Sequence, residues 1–587
     1  MTGHRRGHPA SGTGERDAVY DVAVIGYGPT GATAANLLGA RGLRVVVLER
    51  DAEVCPRARA ISTDEEVMRI WQRAGLAERL EQDMLADRPV DFVDAQGRTF
   101  LHAHPVSHGH GHPAQLFLYQ PAVERVLRAG AARYPNVTVL ARHECLRVRQ
   151  DAEGVDLLVA TTDTAIAAGA AGTPGAAGTA DTTAAAGTAG AADAVGAPVR
   201  WLRASYVIAA DGGSSRTRTQ LGVGYEGRTY EDRWVVVDTE MTRPWPDHDR
   251  LRFRCDPARP AVDCPTPLGH HRWEFPVLPG DDVSRLTTEE AILGLVARYG
   301  VGPDSIRILR AAVYSHHVRS AARFRVGRVL LAGDAAHAMP PWIGQGMAAG
   351  VRDVGNLCWK LDAVLRGELP ESVLDSYEAE RAPHVREVTR RSVFVGRIVT
   401  ERRRPLTRLR DTVLPLLSRV PGFTRWLRDS HWTPAAHYAT GLRAHPRPRP
   451  WIRPRTRPLA RSRIRATGHQ IPQPRVTAPD GTRVRLDEVL GGGWLLLHAR
   501  TATPQPRWDV PSLTVVPAGS RPAAGTVVDT DGVLLPWFAA HRAATVALRP
   551  DAYVYAAARA GAVLPPPPPG FAPAARRNAP GREGRES

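Results

Sequence analysis

Apolar and polar positions follow two different periods along this chain, and the switches between them mark its elements. Tyr20–Gly26 (YDVAVIG) is a short apolar run that ends in glycines, and an Ala/Leu-rich stretch of helical spacing follows it. Leu43–Glu49 (LRVVVLE) is then a β-branched strand candidate. Strand, glycine turn, helix and strand predict a βαβ unit. Ser205–Ala209 (SYVIA) predicts another strand, and Val235 to Phe275 breaks into short alternating segments with turn residues, as a β-rich domain over about 225–320 requires. Residues 327–365 return to strand then helix, and residues 381–465 are helical at first, then rich in Pro and Arg. From 468 a small α/β pattern sets in, with strands expected at Trp494–His498, Thr526–Asp529 and Ala544–Leu548. The fold class is therefore α/β: a Rossmann-like core over 19–395 that includes the β-rich domain, a connector over 396–467, and a small domain over 468–563.

Composition changes this picture in three places. Residues 161–198 form an Ala/Gly/Thr tract with almost nothing to bury, expected to be a flexible surface insertion that interrupts one domain. Residues 1–18 and 564–587 are expected to be disordered tails; the first is basic but lacks the apolar stretch of a secretory signal. No run of about 18 apolar residues occurs, so no membrane-spanning helix is expected. The five cysteines are scattered and contain no CxxC pair, which argues against a structural zinc site or a disulfide framework and fits a reducing cytoplasm. A formal charge of +17 invites a nucleic-acid reading. Yet the basic residues are Arg apart from Lys360, and the densest stretch (RPRPWIRPRTRP) carries no nucleic-acid-binding signature, so no nucleic-acid partner is expected.

Candidate chemistry lies in three segments. The first is Gly26-Tyr27-Gly28-Pro29-Thr30-Gly31, which follows a strand, opens a helix and is trailed by Glu49-Arg50 at the end of the next strand. Gly26 allows a tight turn, Gly28 lets a pyrophosphate approach the backbone, and Gly31 lets helix and strand pack closely. The helix N-terminus faces the phosphates, and Glu49 can accept hydrogen bonds from an adenosine ribose. A second copy of the pattern, Gly222 to Gly227, lacks the strand before and the helix after, and is read as a chance match in a loop. The second segment is Asp211-Gly212-Gly213-Ser214-Ser215-Arg216-Thr217-Arg218, which could equally be a polar turn capping a helix. The third runs from Gly333-Asp334 through His337, Pro340 and Pro341 to Gly344-Gln345-Gly346-Met347. Its Asp can bond a ribityl hydroxyl, and its glycine-rich turn can bring N–H groups and a helix N-terminus to a flavin ring.

Taken together, the three segments resemble the fingerprints of class A flavoprotein aromatic hydroxylases, the group of para-hydroxybenzoate and phenol hydroxylases, over roughly Tyr20 to Val395. The resemblance implies FAD as cofactor, NADPH or NADH as co-substrate, and O2 with a small aromatic compound as substrates, reacting through a flavin C4a-hydroperoxide. In that family the DG motif (Asp211, Gly212, Ser215, Arg218) serves both nucleotides, which accounts for the lack of a second nucleotide domain. Arg59 in PRARAIS resembles the family arginine near the pyrophosphate, and Gln120 in LYQPAVERVL the glutamine contacting the flavin. Finer features (ARAISTDEEVMRIWQRAGL, HRWEFPVLPGDD, GDAAHAMPPWIGQGM) resemble the 3-(3-hydroxyphenyl)propionate hydroxylases, which implies hydroxylation of that acid or of 3-hydroxycinnamate to the 2,3-dihydroxy product. The C-terminal segment resembles their thioredoxin-like appendage, here without CxxC and so without a redox role. A homodimer is compatible with this family. Ala348 departs from the Asn that many relatives carry after GQGM.

The remaining candidates have plainer readings. His102, His104, His108, His110 and His112 suggest a metal, but their spacing fits no zinc pattern, and a solvated loop near the active-site entrance is expected instead. His337 is expected to be structural. Trp273 and Phe275 could line a substrate cavity or belong to the core. No catalytic base is readable. A flavin halogenase needs a catalytic lysine, and the one lysine here lies in the NLCWKL helix; a polyketide-tailoring hydroxylase of the same architecture is the closer rival.

Overall fold

A computed structural model describes residues 19–162, 199–423, 435–444, 464–499, 505 and 507–572. Both terminal tails, nearly all of the Ala/Gly/Thr tract and the Arg/Pro-rich part of the connector lie outside these residues, apart from the first stretch of the C-terminal tail.

The first sheet has eight strands, and its path runs Arg325–Val326, Val329–Leu331, Val199–Ala209, Val19–Ile25, Val45–Glu49, Val137–Ala141. Its centre is parallel, with Val24 opposite Val47 on one side and Ile208 on the other. Val22, Val24, Val46 and Leu48 are fully buried, as strands covered on both faces require. Each contributes about 1.5–3 kcal/mol by leaving water. The helices Pro29–Gly39 and Gly346–Leu365 pack against each other on this sheet. The hairpin His143–Gln150 and Val155–Thr161 extends the sheet from Val199–Ala209, where Ala160 pairs with Val199. The Ala/Gly/Thr tract therefore leaves and re-enters at neighbouring points of one antiparallel pair. The strand after it starts at Val199, earlier than the SYVIA run suggested.

The second sheet, also eight-stranded, is antiparallel through its centre, and its order is His337–Ala338, Ile306–Ala321, Tyr225–Met241, His270–Pro276, Ala261–Pro265, Leu251–Arg254, Val90–Val93, Thr99–Ala103. It reaches beyond the 225–320 segment by recruiting Val90–Val93, which pairs in parallel with Leu251–Arg254. Trp273 and Phe275 point to one face, where they are buried with Ile292 and Val296 of the helix Glu289–Ala297. They are core, and the opposite face of this strand is free for other work. The second glycine pattern forms no nucleotide turn. It leads from the short helix Arg216–Gln220 into the strand Tyr225–Met241, and Gly227 lies within that strand at φ +129°, where a Cβ would sit 2.0 Å from the Val318 carbonyl oxygen.

The third sheet, of seven strands, belongs to the C-terminal part, with its own core around Leu497, Val527, Val546 and Phe538. Leu495–His498 runs parallel to Ser512–Pro517 and antiparallel to Thr545–Leu548, which pairs with Val554–Ala558. This unit docks on the core through buried charge: Asp487 accepts from Arg69 (2.5 Å) and Arg73 (3.0 Å), and Arg549 pairs with Glu380 at 2.6 Å. No helix among the described residues is long and apolar enough to cross a membrane.

Candidate functional site

The two larger sheets meet around a cavity of about 420 Å³. Gly28, Pro29 and Thr30 of the first segment line it, with Gly212 of the second and Asp334, Pro341, Gly344, Gly346 and Met347 of the third. Arg59 and Gln120 line it as well. Three segments far apart in sequence are thus brought together. Gly26, Gly31, Glu49, Arg50, Asp211, Arg218 and Gly333 stand behind that lining or at its margin, and their contacts hold it in shape.

Gly26 has φ +96°, and a Cβ there would meet the Ala210 carbonyl oxygen at 2.4 Å. Gly31 is closer still to a neighbour, since its Cβ would fall 1.9 Å from the Gly26 oxygen. Only glycine lets the helix start against the strand in this way. Gly28 is different: nothing lies within 4 Å of a Cβ built there, so its backbone borders open space. The first turn of Pro29–Gly39 presents its free N–H groups at the same place. Glu49 accepts from the backbone N–H of Tyr27 (2.7 Å) and of Asp51 (2.9 Å), which fastens the glycine turn to the next strand; the Arg50 carbonyl accepts from Thr162 Oγ1 at 2.6 Å.

In the second segment Ser215 caps the helix Arg216–Gln220 by accepting from Arg218 N at 2.9 Å. The capping reading is therefore correct for the serine. One Asp211 carboxylate oxygen accepts from Thr217 N at 3.1 Å; the other is buried and has no partner among the described residues. Arg218 is buried across the Tyr225 ring and donates to the carbonyls of Gly213 and Ala335. It ties the second segment to the third. Thr30 does the same between the first and third, because a Cβ at Gly333 or Gly350 would strike its hydroxyl at 2.8 or 2.3 Å.

Asp334 is exposed to the cavity, and the protein packed around it pushes its carboxyl pKa up against the pull of His337 and Arg59. His337 is structural as expected: its Nε2 is 2.6 Å from Asp353, which also accepts from Gly333 N and Arg381. Gly344 has φ +65° and packs on Ser62, and Ala348 is fully buried in the helix that follows. Gln120 lines the cavity while its side-chain oxygen accepts from the N–H groups of Arg59 (2.9 Å) and Ala60 (2.7 Å). Arg272 holds the same loop from below, donating to the carbonyls of Ala58 and Arg59.

Several lining groups were not singled out from sequence. Arg352 donates to Glu66 and Asp64, each at 2.5 Å, and to Gln345 at 2.9 Å. Tyr553 of the C-terminal domain donates to Glu66 at 2.9 Å, so that domain reaches the wall of the cavity. Burial works against ionisation of Glu66, but Arg352 outweighs it and holds the carboxyl well below the usual range. The loop over His108–His112 also departs from expectation. It borders the cavity, but His110 and His112 are buried, and Glu65 accepts from Ser107 Oγ and from the His108 and His110 N–H groups. Burial, aided by Arg69, lowers the His110 pKa to about 4, so it is a neutral imidazole. Among the described residues no His/Cys/Asp/Glu group is arranged to hold a metal. Glu274, between the core residues Trp273 and Phe275, faces the cavity, and the period of two along that strand was the signal for it. Lys360 is fully buried against Asn356 and Glu380 and does not line the cavity.

This site fits a flavin dinucleotide. It combines open space beside Gly28, a helix N-terminus, an unsatisfied Asp211 oxygen and an acid at Asp334. Known proteins agree. The FAD binding domain family matches residues 19–167 and 179–392, and the HcaD C-terminal domain family matches 468–564. A "3-(3-hydroxy-phenyl)propionate/3-hydroxycinnamic acid hydroxylase" of Burkholderia cenocepacia is 34% identical over 91% of this chain and 93% of its own length. One of the same description from Comamonas testosteroni is 32% identical over 92% and 94%. In fold the chain resembles the flavin-dependent monooxygenase PieE in complex with FAD and substrate (TM-score 0.71, 22% identity, 93% of this chain and 96% of that one). Aklavinone-11 hydroxylase with FAD and aklavinone is similar too (TM-score 0.69, 21% identity, 94% and 97%). The chain is an FAD-dependent monooxygenase: it belongs to the FAD binding domain family of class A flavin hydroxylases, followed by an HcaD C-terminal domain.

Proposed function

We propose that the enzyme hydroxylates 3-(3-hydroxyphenyl)propionate or 3-hydroxycinnamate beside the ring hydroxyl, giving the 2,3-dihydroxy product at the expense of NAD(P)H. The observation that carries this reading is likeness along almost the whole chain, C-terminal domain included, to hydroxylases of that description. Bound FAD supplies the passage of two electrons from NAD(P)H to O2 and the delivery of one oxygen atom to the ring, the other leaving as water.

The protein's own part is to bind, orient and exclude water. In this reading the pyrophosphate lies at Gly26–Gly31 on the helix N-terminus, where N–H groups and dipole favour negative charge. Glu49 and Arg50 face the adenosine end, and Arg59 and Gln120 border the cofactor from the opposite loop. Asp211, Gly212 and Arg218 serve the nucleotides from the second segment. Gly333 and Asp334 hold the ribityl chain, while Pro341, Gly344, Gly346 and Met347 border the ring. The apolar wall of Ile61, Phe117, Leu251, Phe253 and Trp342 suits an aromatic ring.

The C-terminal domain, on this reading, is thioredoxin-like and structural. Its support is a parallel strand pair continued by two antiparallel strands, with no CxxC. The five free cysteines fit a cytoplasmic enzyme. A panel of phenylpropanoid and polycyclic phenols tests the substrate. 3-(3-Hydroxyphenyl)propionate should speed NAD(P)H oxidation well above the substrate-free rate and yield the catechol. Clean hydroxylation of a polycyclic phenol, with only peroxide from the phenylpropanoids, would assign the enzyme to polyketide tailoring.

A further inference from the structure

The second sheet faces the cavity with a row of side chains from three adjacent strands. Phe253 pairs with Val262, and Val262 pairs with Glu274. All three line the cavity, and the row continues on the far side with Val236, the other neighbour of Glu274. A single carboxyl thus interrupts an apolar wall. Glu274 is 9% exposed, and among the described residues its side chain has no hydrogen-bond or ion-pair partner. The other carboxyls of the cavity are accounted for. Asp64 is bonded to Val67 N, Gln345 and Arg352, Glu65 to the histidine loop, Glu66 to Arg352 and Tyr553, and Asp334 belongs to the third glycine segment. The guanidinium that acts on Glu274, Arg272, is occupied by Asp238 and by the carbonyls of Ala58 and Arg59.

A buried carboxyl without a donor is costly, and a fold retains one where a ligand supplies what the protein does not. The ligand chemistry follows from the surroundings. An anionic end would be repelled by Glu274, whereas a neutral O–H on an aromatic ring could donate to it while the ring lay on Phe253 and Val262. We propose that Glu274 is the catalytic residue that accepts the hydrogen bond of the substrate's ring hydroxyl and takes its proton during hydroxylation. The inference rests on the phenolic substrate proposed above, and it implies that the carboxylate tail points away from this strand.

The step balances simply. The phenol O–H bond breaks, a carboxyl O–H bond forms on Glu274, and the electron pair left on the phenolate oxygen enriches the ring carbon beside it. Once that carbon carries the new oxygen it sheds its hydrogen as a proton to solvent, matching the proton taken up when the other oxygen atom leaves as water. The ring becomes aromatic again, and the ring oxygen takes its own proton back from Glu274. Burial raises the Glu274 pKa more than Arg272 lowers it, which makes its carboxylate a stronger proton acceptor than an exposed one. The charged and titratable groups around it are Arg272 on its own strand, Asp238 on Tyr225–Met241 and Cys264 on Ala261–Pro265.

The test uses the FAD-loaded full chain and the pair 3-(3-hydroxyphenyl)propionate and 3-phenylpropionate, which differ only in the ring hydroxyl. Glu274→Gln should keep its flavin and bind the phenol within several-fold of the wild type. Its product formation should fall on the order of 100-fold, with loss of the acidic limb in the pH profile of kcat and partial rescue by Glu274→Asp. A second measurement needs no variant. The wild-type preference for the phenol over 3-phenylpropionate in Kd should shrink as pH falls and Glu274 protonates. Wild-type turnover by Glu274→Gln with an unchanged acidic limb, or a preference that ignores pH, overturns the proposal. If the wild type rejects 3-(3-hydroxyphenyl)propionate but hydroxylates another phenol, the substrate reading fails while the same measurements on that phenol and its deoxy analogue still decide on Glu274. If it hydroxylates no phenol, both fall.

Discussion

At the scale of the residue, the site depends on positions where nothing larger than a hydrogen is tolerated and on acids left without partners. Gly26 is the clearest of the first kind. Alanine there combines a left-handed φ of +96° with a contact of 2.4 Å to backbone, so Gly26→Ala should cost at least about 1–3 kcal/mol and displace the turn. A lower Tm and a reduced flavin-to-protein ratio are the expected readings. Asp334→Ala should leave the fold intact and weaken FAD retention about tenfold or more, the value of a hydrogen bond to a charged group; gel filtration followed by the visible spectrum measures this. Acid precipitation of the yellow enzyme should release the flavin, since the three glycine-rich segments offer it hydrogen bonds and dipoles. The glycine positions were legible because local backbone geometry dictates their residue type. Arg352 and Glu66 were not, because what distinguishes them is their neighbours across sheets and helices, and a single Arg or Glu in an Arg-rich chain carries no such information. Glu274 was signalled only by the period of two between Trp273 and Phe275.

At the scale of elements, the central βαβ unit could be read from periodicity, with its strand boundaries within a residue or two of expectation, whereas the strand expected at Ser205 begins at Val199. The joints between elements were less visible. In the sequence the helix Glu65–Arg73 stands out only as part of the ARAISTDEEVMRIWQRAGL resemblance, yet it offers Glu66, Arg69 and Arg73 to the C-terminal domain, with Asp487 between the two arginines. Asp487→Asn should cost about 3–5 kcal/mol by leaving buried guanidiniums unpaired, and differential scanning calorimetry should show it. Glu380 anchors the other side of the joint. Burial raises its pKa, but Arg549 and Lys360 outweigh this and bring it down to about 2 from an ordinary value near 4.5. A depressed carboxyl stabilises the folded state above the unfolded value and loses that contribution as pH falls. Docking should therefore weaken as pH drops from about 4.5 towards 2, and a plot of Tm against pH should lose that slope in Glu380→Gln.

At the scale of the whole molecule, the two family matches follow one another along the chain, whereas the route by which the C-terminal domain touches the cavity, through Tyr553 and Glu66, depends on tertiary packing alone. The pairing of Ala160 with Val199 has a consequence for length. The ends of the Ala/Gly/Thr tract are already held together by a sheet, and the cost of closing a loop grows only slowly with its length. Deleting Gly169–Ala192 should leave kcat and coupling within about twofold, and a large loss of either would show that the tract serves the catalytic core.

The burial of Lys360 has a practical outcome of another kind. Residues 1–587 contain 77 basic side chains, but Lys360 is the only one bearing a primary amine, and it is fully enclosed by Asn356 and Glu380. Amine-directed reagents therefore find no lysine on the native surface. The peptide carrying Lys360 should stay unmodified by an N-hydroxysuccinimide ester until the joint with the C-terminal domain opens. Mass spectrometry of that one peptide would then time the opening, with no engineered label.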